Sequence, residues 1–227
     1  MPLLNDIEKQ FSQTKPFAGV KVAVSVHLEA KTAYLCQTLA AGGAQVYAAA
    51  SNVLSTQDDV VAALVRSGVN VFALHGESPE EYARHIRCIV ESGPNVIIDD
   101  GGDIVSMIHS EYPQLIENVW GGCEETTTGI NRLLARASRS GDLERLMAEI
   151  ARCDLLVLDE FGYVPIDVEG ARLLFQVISE AYERQSLVIT TNLDFSRWGT
   201  VLTDDQMAAA IIDRKCEASH LRSNAKS

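Results

Sequence analysis

The 227-residue sequence lacks several features that would assign its class directly. It has no apolar run of the roughly 18 residues that a membrane-spanning helix needs. Its five cysteines have neither metal-knuckle spacing nor an obvious disulfide pattern. Its N-terminus has an acid at Asp6, where a secretion signal would be basic and then apolar. We therefore expect a cytoplasmic chain with reduced thiols and no membrane contact.

Two phosphate-binding motifs are also missing. The sequence contains no Gly-x-Gly-x-x-Gly, and its Lys-Thr pair, Lys31-Thr32, lacks the glycines of Gly-x-x-x-x-Gly-Lys-Ser/Thr. Each of these motifs surrounds the charged oxygens of a nucleotide with backbone amides. Their absence predicts that the chain alone binds dinucleotides and triphosphates poorly.

Charge is distributed unevenly along a chain whose formal net charge is −12. Residues 1–130 hold 7 basic and 16 acidic side chains, whereas residues 131–227 hold 12 basic and 15 acidic ones. The basic residues also change from Lys and Arg in similar numbers to mostly Arg. An acidic chain repels a phosphate backbone at long range, so DNA binding would need a local arginine cluster. The change in composition predicts two different parts.

The first part alternates β-branched apolar runs with segments of helical spacing. The runs predict strands at Val20–Val26, Gln45–Ala49, Val69–Leu74, Val96–Ile98 and, more weakly, Asn118–Trp120. The segments between them predict helices at Ala30–Ala41, Asp58–Ser67, Pro79–Glu91 and Asp103–Glu111. One strand with its crossover helix takes about 25–30 residues. The pattern therefore predicts an α/β fold, a parallel sheet with helices on both faces.

Polar clusters follow the predicted strands, at the sheet edge where parallel sheets bind ligands. They are His27–Thr32, Ser55–Asp59, Asp99–Asp103 and Glu124–Gly129. Structural alternatives remain open for each cluster: helix caps at Ser55, Asp103 and the threonines, a turn at Asp99–Gly102, a structural His27, and a solvated Glu124-Glu125 pair. Their occurrence together at one edge favours a site.

Residues 2 to about 129 resemble the N-terminal part of the substrate domain of the S-adenosylhomocysteine hydrolase family. The resemblance is carried by Ser55-Thr56-Gln57-Asp58, Asp99-Asp100-Gly101-Gly102-Asp103, Tyr112-Pro113-Gln114-Leu115 and Glu124-Glu125-Thr126-Thr127-Thr128-Gly129. That family uses bound NAD to oxidise the 3′-hydroxyl of the substrate ribose, which permits elimination of homocysteine and addition of water. The resemblance implies a hydrolase of S-adenosyl- or S-inosyl-homocysteine in one-carbon metabolism, with a nucleoside-type ligand.

The resemblance also implies roles for individual residues. Asp100 would transfer a proton, His27 would act near the leaving sulfur, and Glu125 would bind the ribose hydroxyls. The residues that would contact NAD are Thr126, Thr127 and Thr128. The residues that would contact substrate are Glu29, Lys31, Thr32, Ser55 and Gln57.

One departure from the family concerns the base of the nucleoside. Much of the family has Thr at the position of Glu29 and Glu at that of Lys31. A carboxylate accepts hydrogen bonds from the exocyclic amine of adenine, whereas an ammonium only donates and suits a carbonyl oxygen. We therefore hypothesise a preference for an inosyl over an adenosyl substrate.

The second part has a different pattern. Leu133–Ala151 predicts an Arg-rich helix interrupted at Ser138–Gly141, and Asp154–Glu160 predicts a buried strand that ends in two acids. Residues 133–214 resemble the C-terminal half of IstB-like transposition helper ATPases, which are AAA+ relatives. The segments that carry this resemblance are Phe161–Pro165, Glu169–Ile178, Tyr182–Arg184, Ile189–Leu193, Phe195–Gly199 and Ala208–Arg214.

This second resemblance implies a different chemistry. Asp159 and Glu160 would be the Walker B acids, with Asp159 holding Mg²⁺ when ATP binds. Asn192 would be the polar sensor residue and Arg214 a nucleotide-sensing arginine. A transposase or DNA would be the partner under this alternative.

The sequence therefore predicts two incomplete three-layer modules and a tail. Residues 1–130 would form the hydrolase-like fragment, 131–214 the ATPase fragment and 215–227 a flexible tail. Because the NAD-binding domain of one family and the P-loop of the other are missing, we expect the chain alone to be inactive. Three hypotheses remain: a truncated hydrolase, an ATPase remnant, and a non-catalytic chimera that self-associates through exposed surfaces.

Overall fold

The computed structural model describes residues 2–152, 155–158, 161–162, 166–181 and 184–218. The chain divides into two compact units, Met1–Glu125 and Thr126–Ser227. The boundary lies close to the predicted change of composition.

The first unit is built on a five-stranded parallel sheet with the strand order β3-β2-β1-β4-β5. Its strands are β1 (Lys21–Val26), β2 (Gln45–Ala50), β3 (Asn70–Phe72), β4 (Val96–Asp99) and β5 (Gly121–Glu124). The central strand β1 has five consecutive buried residues. A strand covered on both faces requires such an apolar run. The predicted parallel α/β sheet is confirmed.

Five helices belong to the first unit: α1 (Pro2–Thr14), α2 (Ala30–Ala41), α3 (Asp58–Arg66), α4 (Pro79–Glu91) and α5 (Asp103–Glu111). Side chains of α2 and α3, such as Leu39 and Leu64, pack in one core with Val22, Val24 and Val26 of β1. Side chains of α4 and α5 pack in a second core with Ala23. Alternate residues of β1 point to opposite faces, so helices cover both sides of the sheet as expected.

The start of α4 shows why these boundaries could be read from the sequence. Ser78 Oγ accepts a hydrogen bond from the amide of Glu81 at 3.2 Å, and the Glu81 carboxylate accepts one from the Ser78 amide at 3.0 Å. Pro79 occupies the first helical position. The hydrogen bond from the Ser78 amide lowers the pKa of Glu81. This reciprocal capping box is a strong helix-start signal.

Strand β3 is shorter than the predicted Val69–Leu74, and two further elements differ more from the sequence predictions. The weak strand predicted at Asn118–Trp120 is wrong, because Pro113–Asn118 form a 3-10 helix and β5 begins at Gly121. Pairing with β4 puts this glycine-rich segment into the sheet, although glycine disfavours strands. Helix α1 was not predicted; it packs on α2, and the ring of Phe11 meets that of Phe17 edge-on at 5.3 Å.

The second unit contains a two-stranded parallel sheet surrounded by helices. Its elements are α6 (Thr127–Ser140), α7 (Leu143–Ile150), β6 (Leu155–Leu158), α8 (Val168–Ala181), β7 (Ser186–Ile189), α9 (Trp198–Leu202) and α10 (Asp205–Ala218). Helix α8 lies between two apolar clusters: Leu174 packs with Phe161 and Trp198, and Leu173 packs with Leu134.

Helix boundaries in the second unit differ from the predicted ones at two places. The predicted interruption is confirmed, since α6 ends before Gly141, which has a φ of 77°. Helix α6 begins at Thr127 rather than Leu133. Helix α10 continues through Ala218, so the first four residues of the predicted tail, Lys215–Ala218, are helical. In the part of the chain that the structure describes, every helix is too short or too polar to cross a membrane.

Candidate functional site

The polar clusters predicted from the sequence meet at the carboxyl edge of the five-stranded sheet. His27 directly follows β1, Ser51 directly follows β2, and Asp100 directly follows β4. Because β1 pairs in parallel with both β2 and β4, these strand ends are neighbours. The sheet topology therefore brings together residues that lie up to 73 positions apart in the sequence.

A chain of polar contacts joins these residues. His27 Nδ1 lies 2.6 Å from Ser55 Oγ, and His27 Nε2 lies 3.5 Å from Asp100 Oδ2. Ser51 Oγ donates to the same Asp100 oxygen at 2.8 Å. Ser55 Oγ is also 3.0 Å from the carbonyl oxygen of Asn52. The His27 side chain is 50% exposed and that of Asp100 only 13%. A solvent-accessible imidazole therefore contacts a largely buried carboxylate.

Asp99, the last residue of β4, forms hydrogen bonds with the backbone on either side of the polar contacts. Its Oδ2 accepts hydrogen bonds from the amides of Ile104 and Val105 in the first turn of α5, at 2.9 and 3.3 Å. Its Oδ1 accepts one from the amide of Asp100 at 3.1 Å, and its backbone oxygen accepts one from the amide of Glu125 at 2.8 Å. Asp99 thus fixes the backbone that carries Asp100.

The carboxyl group of Asp99 is 1% exposed, with no positive side chain among the groups that shift its ionisation. Burial raises the pKa of Asp99 to about 7, although the Val105 amide opposes this rise. The negative charges of Glu124 and Asp103 raise it further. The Asp99 carboxyl group, which lies beside Asp100, therefore changes between its protonated and ionised forms near neutral pH.

The remaining acids of the edge have structural partners. Asp103 begins α5, and its Oδ2 accepts a 2.7 Å hydrogen bond from the hydroxyl of Tyr82. Burial and this contact raise the pKa of Tyr82. Glu124 Oε1 accepts a 2.8 Å hydrogen bond from the amide of Gly101, while the side chain of Glu125 is exposed. The N-cap residues of α3 and α5 are Gln57 and Gly102, so neither Ser55 nor Asp103 is the cap of its helix.

The residues expected to contact substrate differ in exposure. Lys31 is 79% exposed, and its ammonium lies 3.9 Å from the half-exposed carboxylate of Glu29. Thr32 is buried, and its hydroxyl donates to the backbone oxygen of His27 at 2.6 Å. The Gln57 side chain is exposed, and the backbone amide of Gln57 donates to the backbone oxygen of Leu28 at 3.2 Å. Lys31, Glu29 and Gln57 are therefore open to a ligand, whereas Thr32 holds the loop.

The threonines expected to contact NAD belong to the second unit. Thr126 is the N-cap residue of α6, and its Oγ1 accepts a hydrogen bond from the amide of Gly129 at 3.0 Å. This confirms the alternative in which a threonine caps a helix. Thr127 and Thr128 form the first turn of α6, and their side chains lie outside the described part of the chain.

The ATPase-like residues are only partly described. Asp159, with its expected magnesium, and Glu160 lie outside the described residues, and so does the side chain of Arg214 on α10. Asn192 is exposed, three residues beyond the end of β7. The strands β6 and β7 are parallel, with Leu158 opposite Ile189, so both strands end at the same edge of their sheet.

Two residues of the site were not assigned a role from the sequence, Ser51 and Asp99. Ser51 could have been found from its position after β2, but the contact with Asp100 depends on the strand order. Asp99 lies in the predicted Asp99–Asp103 cluster. It is 1% exposed, against 13% for the side chain of Asp100, and the sequence does not show this difference. Over the described ranges, no three His, Cys, Asp or Glu residues are grouped so as to hold a metal ion.

Comparison with known proteins separates the two units. Residues 1–114 match the family model of S-adenosyl-L-homocysteine hydrolase. Residues 125–226 match the model of IstB-like ATP binding protein. Both resemblances inferred from motifs are confirmed, and the gap between the matched ranges contains β5 and the last four residues of the 3-10 helix before it.

Similar curated proteins align with the first part of the chain. Adenosylhomocysteinase from Pyrococcus abyssi is 56% identical over 135 residues, which are 60% of this chain and 32% of that protein. Adenosylhomocysteinase from Thermococcus kodakarensis is 54% identical over 135 residues, again 60% of this chain and 32% of the relative. S-inosyl-L-homocysteine hydrolase from Methanocaldococcus jannaschii is 47% identical with the same two coverages.

The chain thus spans about a third of the length of the curated relatives that it matches. Its matched part includes β1 to β4 with the residues that follow them, and so the whole His27, Ser55 and Asp100 arrangement. Since the family model covers 1–114 of 227 residues, the chain belongs to the S-adenosyl-L-homocysteine hydrolase family.

Proposed function

We propose that the first unit binds the nucleoside portion of an S-nucleosyl-homocysteine at the carboxyl edge of its sheet. The supporting observation is the His27 to Asp100 contact of 3.5 Å, at strand ends inside the range that matches the family. In this proposal Asp100 accepts a hydrogen bond from a hydroxyl of the sugar, and His27 lies near the sulfur.

The residues present do not fit the NAD that the family resemblance implies. A dinucleotide needs free backbone amides around its pyrophosphate. In the described part of the two relevant polar clusters, the amide of Gly101 donates to Glu124 and that of Gly129 donates to Thr126. We therefore assign NAD to no residues of this chain and propose nucleoside binding without hydride transfer.

We further propose that Lys31 selects inosine over adenosine. Its ammonium is highly exposed and only loosely held by Glu29 at 3.9 Å, so it is free to donate to the carbonyl oxygen of hypoxanthine. Adenine offers an amine at that position, which cannot accept this hydrogen bond. Relatives named for either substrate align with this part of the chain, so the proposal rests on Lys31 alone.

Wild-type protein is expected to bind inosine about 10-fold more tightly than adenosine, because a hydrogen bond to a charged group contributes roughly 1.5 kcal/mol. Titration of each nucleoside, followed by nuclear magnetic resonance, measures the ratio. Lys31→Glu should remove or reverse the preference. Lys9→Glu makes the same charge change on the exposed face of α1 and should leave it intact. Tighter binding of adenosine by the wild type would contradict the proposal.

A second candidate function is nucleotide binding by the second unit. It is favoured by the IstB-like match and by the parallel pairing of β6 with β7, whose last residues, Leu158 and Ile189, lie opposite each other. This function requires magnesium-dependent ATP hydrolysis that Glu160→Gln abolishes. A phosphate-release assay decides, with Glu144→Gln, an exposed acid on α7, as the matched control. Equal rates for all three proteins would eliminate this function.

A further inference from the structure

The contacts of His27 also fit a second kind of chemistry, which does not involve a nucleoside. A hydroxyl stands 2.6 Å from one nitrogen of the imidazole, and a carboxylate stands 3.5 Å from the other. A nucleophile beside a base, with the base oriented by an acid, is the arrangement that activates serine in acyl transfer. We propose that Ser55, His27 and Asp100 form an acyl-transfer site that hydrolyses small activated esters.

The proton positions follow from the partners. The Asp100 carboxylate accepts a hydrogen bond from Ser51 and has only acceptor oxygens. It therefore favours the His27 tautomer that carries its hydrogen on Nε2, the nitrogen nearer to Asp100. Nδ1 then carries a lone pair. The single proton of the Ser55 hydroxyl has two acceptors within reach, this lone pair at 2.6 Å and the Asn52 oxygen at 3.0 Å. The closer acceptor is the base that removes the proton when Ser55 attacks.

The site is open enough for a small ester. The His27 side chain is 50% exposed, and Ser55 is partly exposed beside it. In the turn that contains Ser55, the amides of Leu54, Ser55 and Gln57 all donate to acceptors of the protein. The amide of Thr56 donates to none within the described residues. The amide after a nucleophilic serine is the position that supplies an oxyanion donor in other serine hydrolases.

The reaction balances with water as the only co-reactant. Ser55 Oγ forms a bond to the acyl carbon of the ester while its proton moves to His27 Nδ1. The bond between the acyl carbon and the alcohol oxygen then breaks, and the alcohol leaves with that proton. Water attacks the acylated Ser55 with the help of the same nitrogen, which releases the carboxylic acid and regenerates the hydroxyl.

Hydrolysis of p-nitrophenyl acetate by the full chain tests this proposal. Thiols are first alkylated, because Cys123 is exposed and would react with the ester by itself. Ser55→Ala and His27→Ala are each expected to lower the rate about 100-fold, the contribution of a positioned base. Ser12→Ala and His109→Ala, at exposed positions of α1 and α5, should leave the rate unchanged.

A fluorophosphonate probe supplies a readout that does not depend on turnover. Attack by Ser55 Oγ on phosphorus expels fluoride, and peptide mass spectrometry should locate the phosphonyl group on Ser55. Loss of the rate in His27→Ala but not in Ser55→Ala would show a histidine nucleophile and overturn the proposal, as would labelling of another serine. Circular dichroism of each variant identifies misfolding, and Ser12→Ala, at an exposed position of α1, should retain labelling at Ser55.

Discussion

Raising the pH from about 4 to about 7 is expected to lower the free energy of unfolding of the first unit by up to about 4 kcal/mol through Asp99 alone. Burial raises the pKa of this carboxyl to about 7 in the folded state, against about 4 in an unfolded chain. Between these values the folded protein holds a proton that the unfolded chain has lost. The stabilising contribution is therefore complete at low pH and disappears as the pH rises through about 7.

Comparison with Asp99→Asn isolates this contribution from all other titrating groups. The asparagine cannot ionise, and its amide meets a backbone donor, so it adds a cost that does not depend on pH. The difference in unfolding free energy between wild type and variant should fall by several kcal/mol from about pH 4 to about pH 8. Hydrogen exchange of the β4 amides measures it, with Asp59→Asn as an exposed control. A difference that is constant with pH would contradict the burial argument.

Leu28→Ala is expected to destabilise the first unit by about 2–5 kcal/mol. Leu28 is 0% exposed, between the site residues His27 and Glu29, and it packs in the core that β1 forms with α2 and α3. Truncation leaves a cavity that the closely packed strand end cannot fill. The backbone oxygen of Leu28 also accepts a hydrogen bond from the backbone amide of Gln57. Collapse of the loop after β1 should therefore displace His27 from Ser55.

Urea unfolding of Leu28→Ala, compared with Leu54→Ala, tests this expectation. Leu54 has the same side chain, lies in the neighbouring loop after β2 and is 73% exposed. Its truncation should change the unfolding free energy by less than about 0.5 kcal/mol. Similar effects of the two substitutions would mean that the loop after β1 is not anchored by the core.

The first unit could be predicted well from the sequence because its local signals agree with its packing. Helices α2, α4 and α5 have the predicted bounds, and the apolar runs before them form the sheet. Strand β5 could not be predicted, since Gly121 and Gly122 gain strand structure only by pairing with Ile97 and its neighbours on β4. Helix α1 was missed because a mostly exposed segment forms a helix here through its packing on α2.

The position of the site at the carboxyl edge of the sheet could be predicted from the sequence, but the contacts between its residues could not. Strand ends of a parallel sheet meet, which is why the positions of His27, Ser55 and Asp100 after their strands were enough to group them. The 2.6 Å contact of His27 with Ser55 depends on the turn that begins at Asn52 and on the pairing of β1 with β2, which the local sequence does not specify. The role of Asp99 depends on the hydrogen bonds that it accepts from the amides of Ile104 and Val105, which come close only when the chain has folded.

The central claim is that this sheet edge binds a nucleoside without a cofactor. Titration of full-length, NAD-free protein with inosine, observed through the imidazole resonances of His27, tests it most directly. We expect a saturable shift with a Kd on the order of 1 mM, equivalent to about 4 kcal/mol, and no shift in Asp100→Ala. Unchanged His27 resonances at inosine concentrations well above this value, in folded wild-type protein, would contradict the claim.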